Sequence, residues 1–120
     1  MERVTGIGGV FFKAGNPEAL TRWYAEHLGV DAPPETYDIA PWRQEAGDTV
    51  FAAMPGDSDR FGSHEQSWAI NFRVNDLDAM VEQLRTADIT VTVDPQTYPN
   101  GRFADLADPE GHPIRLWQVA

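Results

Sequence analysis

The residue most able to do chemistry is Arg115, within Ile114-Arg115-Leu116-Trp117 near the end of the chain. Ile114 and Leu116 have the spacing of a strand's core-facing pair, so Arg115 and Trp117 project from the opposite face. A guanidinium beside an indole can hold the polar end of a flat ligand and support its body. It can equally be tied up by a carboxylate, Asp105 or Glu45. Alternation also assigns Phe11, Phe51 and Asn71 to the face that carries Arg115. Trp42, from a middle strand, and Phe103, from the strand beside the last, are further candidates. An aromatic-rich pocket holding Arg115 and Asn71 suits a planar or hydrophobic molecule with a carboxylate or other anionic group. The alternative is that these aromatics touch one another and fill a collapsed cavity.

Other chemistry is sparsely represented. The three histidines are His27, His64 and His112, and no pair has the spacing of His-x-x-x-His. His27 belongs to a helix end. His112 follows the turn glycine Gly111 and is expected in solvent. His64, followed by Glu65, lies between two repeats and could fold over a cavity mouth. There is no cysteine, hence no disulfide and no thiolate ligand. No Ser-His-Asp or Cys-His set stands out. Gly6-Ile7-Gly8-Gly9 precedes a strand rather than a helix, which argues against a phosphate loop and for close packing of small residues.

The elements that must position these residues come from an internal repeat. GVFFKAGNPEALTRWY, from Gly9, lies over AINFRVNDLDAMVEQL, from Ala69, at an offset of sixty residues without a gap. Each copy opens with a strand of period two: Val10 and Phe12 in the first, Ile70, Phe72 and Val74 in the second. A helix follows in both. Asn16 and Asp76 are N-caps, Pro17 fits the first helical position, and Gly29 is a stop. Leu20, Trp23, Tyr24 and Leu28 recur at helical spacing, as do Leu77, Met80, Val81 and Leu84. Short strands close each copy: about 37–39, 42–45 and 49–54 in the first, about 89–93, 102–106 and 113–119 in the second. Pro99-Asn100-Gly101 and Asp108-Pro109-Glu110-Gly111 are turn signals. The expected fold is α+β, with two tandem βαβββ modules forming a cupped mixed sheet around a cavity and helices outside. One domain spans 1–120, with module one at about 4–55, a linker at about 56–66, and module two at about 67–120.

Composition bounds the partners. The 120 residues suffice for one core. Apolar content of 42% with four Trp, three Tyr and six Phe argues against a disordered chain. Nineteen acidic against nine basic residues give a formal charge of −10, which repels nucleic acid and anionic membranes. A small molecule or a protein is favoured. No apolar run approaches a membrane span, and the start lacks a signal-peptide core, so a cytoplasmic location is expected.

NPEALTRWYAEHLG, NFRVNDLDAMVEQLRTADI and GRFADLADPEGHPIRLW, in that order, resemble the first helix, the second-module start and the closing hairpin of vicinal oxygen chelate proteins. These are the glyoxalases, bleomycin-resistance proteins and extradiol dioxygenases. The resemblance implies the paired-module fold, and often a homodimer. It also implies a cavity in which metal-dependent members hold a divalent ion by His, Gln or Glu from the first and last strand of each module. Carried onto this chain, those four positions read Gly9, Phe51, Ala69 and Arg115. None offers a side-chain ligand for a divalent cation, and Arg115 brings a permanent positive charge. No metal or other cofactor is expected. Three readings stay open. The first is a metal-independent small-molecule binding protein. The second is a lyase, isomerase or oxygenase with a non-standard site, with Glu45, Asp105 or His64 as the candidate acid or base. The third is a catalytically inert dimeric assembly protein.

Overall fold

The computed structural model describes residues 1–62 and 66–120. Two helices and one four-stranded sheet dominate them. Helix α1 (Pro17–Leu28) starts where Asn16 Oδ1 accepts from the Ala19 amide, with Pro17 inside the first turn. It ends at Gly29, whose φ of 71° is the left-handed conformation that glycine adopts without strain. Helix α2 (Leu77–Thr86) repeats the device: Asp76 Oδ1 accepts from the Ala79 amide. The two caps are sixty residues apart, the offset of the repeat. A carbonyl-bearing cap of this kind contributes about 1 kcal/mol to each helix.

Strands β1 (Ile70–Arg73), β2 (Thr92–Val93), β3 (Gly101–Ala107) and β4 (Pro113–Val119) form a sheet of order β1-β4-β3-β2. β1 runs parallel to β4, and the β2–β3 and β3–β4 pairs are antiparallel. The parallel pair requires a crossover, which α2 supplies. Gln118 Oε1 on β4 accepts from the Leu77 amide at 2.7 Å, which pins the start of α2 to the sheet. Both helices cover one sheet face. Leu20 and Tyr24 of α1 share a core with Leu77, Val81 and Leu84 of α2 and with Ala104, Leu106, Ile114 and Leu116 of the sheet. The odd-numbered residues of β3 and β4 therefore turn to the other face, which carries no helix. None of the helices among the described residues is long and apolar enough to cross a membrane.

The first half differs from expectation. Strands were expected at about 9–13, 37–39, 42–45 and 49–54, yet strand pairing among the described residues is confined to the second half. Residues 37–38 lie in a turn, with the Ile39 amide donating to the Thr36 carbonyl. The others run without a ladder. Local composition explains much of this. Gly8, Gly9, Pro33, Pro34, Pro41 and Gly47 interrupt or flank these runs, and proline and glycine are the residues least suited to strands. Between the halves, Asp59–Phe61 forms a single 3-10 turn capped by Ser58.

Candidate functional site

The helix-free face of the sheet is built around Arg115. Register places Asn71 of β1 opposite it on one side and Asp105 of β3 opposite it on the other. One residue pair further along, Trp117 lies between Arg73 and Phe103. The Arg115 guanidinium carbon sits 4.6 Å from the Phe103 ring centroid, within cation–π range. Phe103 and Trp117 are nearly parallel, at 10° and 6.2 Å between centroids. Tyr98 meets Phe103 edge-on at 5.8 Å. The Trp117 indole donates to the Asn100 carbonyl at 2.8 Å, so the 94–100 loop holds that ring in place.

Arg115 is also in an ion pair. Its Nε stands 3.1 Å from Asp105 Oδ1. The approach brings the charges together without the alignment of a hydrogen bond, and the buried Nε–H has no acceptor. A short distance here thus means charge compensation, while the donor remains unsatisfied. Asp94 lies nearby. Its carboxyl is held below the usual range by the Gln96 amide, then by the Tyr98 hydroxyl, with a smaller contribution from Arg115. The same hydrogen bond pushes the Tyr98 phenol up. At the β1 edge, Arg73 donates to the backbone carbonyls of Asp48 and Glu45, at 2.5 and 2.7 Å. It thereby straps the 45–48 segment onto this half. Of the two carboxylate partners considered for Arg115, Asp105 fills that role, and Glu45 contributes its carbonyl to Arg73 instead.

The seven residues read from the sequence fall into two groups. Asn71, Phe103, Arg115 and Trp117 share the face. Phe11 and Phe51 do not join it: they are 95% and 92% exposed, because their segments are unpaired and nothing fixes the alternation that would turn them inward. Trp42 is also exposed and takes part in none of the ring pairings around Arg115. Tyr98, Asp94 and Arg73 were missed. Tyr98 sits in the Pro-Asn-Gly turn region, where sequence indicates a bend and not a wall.

A second polar cluster joins the halves. Asp108 is buried and accepts from the Tyr24 hydroxyl at 2.7 Å, the His112 amide at 3.0 Å and the Glu110 amide at 2.9 Å. Its Oδ2 is also 2.7 Å from His112 Nδ1. His112, expected in solvent, is therefore buried: the turn folds its ring back onto Asp108, with Phe12 and Trp68 packed at 5.3 and 5.4 Å. Trp68 lies tilted against Phe12 at 4.9 Å, and Phe12 in turn meets Tyr24 edge-on at 6.1 Å. Burial, then the hydrogen bond to Asp108, pushes the Tyr24 phenol strongly upward. Glu110 is held low by the Asn16 and Gly15 amides that its carboxylate accepts from. Tyr24, Gly15 and Asn16 all come from the first half, so the 108–112 turn fastens α1 to the sheet. His27 lies half-buried at the end of α1 against Trp23, and His64 falls outside the described residues.

The donor set does not fit a divalent ion. Among the described residues no three His, Cys, Asp or Glu side chains converge. Gly9 and Ala69 have no donor atoms, Phe51 is in solvent, and Arg115 is cationic. A divalent ion about 4 Å from the guanidinium would meet repulsion of roughly 8 kcal/mol at an effective dielectric near 20. Two open grooves, of about 410 and 510 Å³, lie by α2 and beside Trp23; Asp105 lines the second, and neither is lined by Phe103, Arg115 or Trp117.

Known proteins share this architecture. The antibiotic binding protein TnmS3 of Streptomyces sp. CB03234 matches at 22% identity and a TM-score of 0.65, over 100% of both chains. A putative glyoxalase family protein from Bacillus anthracis matches at 16% identity and 0.56, over 98% of this chain and 100% of its own. Oxidase ChaP-H2 matches at 23% and 0.53, over 89% and 87%. These likenesses establish the fold. No curated protein sequence matches the chain. The family model for the Glyoxalase/Bleomycin resistance protein/Dioxygenase superfamily matches residues 6–116, and the chain belongs to that superfamily.

Proposed function

We propose that the protein is a metal-independent small-molecule binder whose ligand lies on the helix-free sheet face. The flat, hydrophobic body of the ligand stacks along Tyr98, Phe103 and Trp117. Its oxygen-bearing, anionic end meets Arg115 and Asn71. The observation that carries this reading is the unsatisfied Nε–H of Arg115, held beside an aromatic ladder with no helix above it. A buried donor without an acceptor is costly, by about 1–3 kcal/mol, and a ligand oxygen would relieve that cost. An antibiotic-binding relative of the same fold supports a binding role. A homodimer belongs to the same reading: the exposed Phe11, Val50 and Phe51 would be covered by a second copy, which would help to enclose the ligand.

Calorimetric titration with aromatic carboxylic acids and antibiotics, in the presence of EDTA, tests this. Saturable binding should survive the chelator, and Arg115→Ala should weaken it about tenfold or more, the worth of a hydrogen bond to a charged group. Binding that vanishes with EDTA, or an affinity indifferent to Arg115→Ala, would refute it. Stoichiometric metal in protein purified without chelator would favour the enzyme reading, to which the oxidase of this fold points.

A further inference from the structure

Arg115 does not face its ligand as a free cation. Asp105 is directly opposite it in the β3–β4 register, with Oδ1 3.1 Å from Nε. The Phe103 ring takes part of the same positive charge at 4.6 Å. Around these lie Asp94, which senses the Arg115 charge, and Arg73, whose own donors are committed to the Glu45 and Asp48 carbonyls. Among the described residues, these are two cations and two carboxylates, in a chain whose formal charge is −10. A ligand carboxylate arriving at Arg115 meets a guanidinium that is already neutralised. It must push the Asp105 carboxylate away or bind beside it, and like charges a few ångströms apart oppose one another. A ligand carbonyl carries a comparable acceptor without the full charge. It can bind beside the ion pair without bringing a second full negative charge to Asp105.

We infer that Asp105 is a specificity-determining residue, a built-in counter-ion that sets how much negative charge a ligand may bring to Arg115. The inference rests on the binding reading above and adds a residue and a rule to it. Asp105 is suited to the role because its side chain is 54% exposed against 25% for Arg115. The carboxylate is the more exposed partner, so the two can part without unpacking the core. An exposed pair of this kind holds little folding energy, so its removal changes selectivity and leaves the fold intact.

The test compares 2-naphthoate with 2-naphthamide, which share shape and ring system and differ in charge. Both are titrated into the wild-type protein, Asp105→Asn and Asp105→Ala, with thermal melts to show that all three fold. The expected result is a rise of about five- to tenfold in affinity for the carboxylate relative to the amide in both variants. The absolute affinity for the amide should move less than twofold. If both probes bind and their ratio is the same in all three proteins, Asp105 does not set selectivity, while the binding site itself stands. If the ratio moves toward the amide, the inference is wrong in sign. If neither probe binds any of the three, the binding reading has failed and this inference falls with it.

Discussion

The two halves of this chain carry the same helix signals sixty residues apart, yet they spend their apolar residues differently. In the second half, Leu77, Val81, Leu84, Ala104, Ile114 and Leu116 are buried in one core, and β1 through β4 close a hydrogen-bonded sheet. In the first half, α1 contributes Leu20 and Tyr24 to that core, while Val10, Phe11, Ile39, Val50 and Phe51 are half exposed or more. The contrast teaches that a helix can be specified locally, by a cap and an apolar stripe, whereas a strand needs an edge to pair with. The second half supplies its own edges. The first half is fastened to it at discrete points: Tyr24 on Asp108, the Gly15 and Asn16 amides on Glu110, and the 45–48 carbonyls on Arg73.

The comparison can be broken most forcefully in the core. Leu116→Ala should cost about 2–5 kcal/mol in urea unfolding, because Leu116 is fully buried beneath both helices. Phe51→Ala should change the unfolding free energy of the isolated chain by less than about 0.5 kcal/mol. A Phe51→Ala cost that grows with protein concentration would instead mark that residue as part of a homodimer interface.

Next in size is the fastening of α1. Tyr24→Phe removes one hydrogen bond to a buried carboxylate and should cost about 1.5–3 kcal/mol. Tyr24 also gives a pH signature. Its phenol is raised in the folded chain, so the neutral form is the one that folding favours. Its contribution is complete below the unfolded tyrosine value of about 10 and is lost as pH rises above it, by at most about 1.4 kcal/mol per pH unit. Tyr24→Phe should flatten that alkaline decline. On the acid side the sign reverses. Glu110, Asp78 and Asp94 are held low, so whatever they contribute is present above the ordinary carboxylate range and fades as pH falls through it.

The smallest effect sharpens the likeness between the halves. Asn16→Ala and Asp76→Ala remove equivalent caps, and each should cost about 1 kcal/mol. A much larger loss from one of them would show that the repeat is not matched in energy.

What could be read from the sequence follows the same division. The α+β class, both helices with their caps, and the four strands of the second half were legible because period, caps and turn residues agree there. Alternation along 113–119 also placed Arg115 and Trp117 on the face opposite Ile114 and Leu116. The same alternation failed to place Phe11 and Phe51, since parity has meaning only in a strand that is paired. His112 was misread as exposed because the sequence shows a turn after Gly111, and only the fold shows that Asp108 draws the ring inward. Asp105 was named among the partners of Arg115, but its place directly across the β3–β4 ladder depends on a register that the sequence does not print.

On the proposed reading, the Arg115 face, and not a metal centre, receives a ligand. The most direct measurement is a proton–nitrogen NMR titration with 2-naphthoate in the presence of EDTA, following the Arg115 Nε–H and the four indole N–H resonances. Saturable shifts are expected at Arg115 and Trp117, with Trp23, on α1, moving least. Shifts centred on Trp23, or shifts that appear only when a divalent metal is restored, would contradict it.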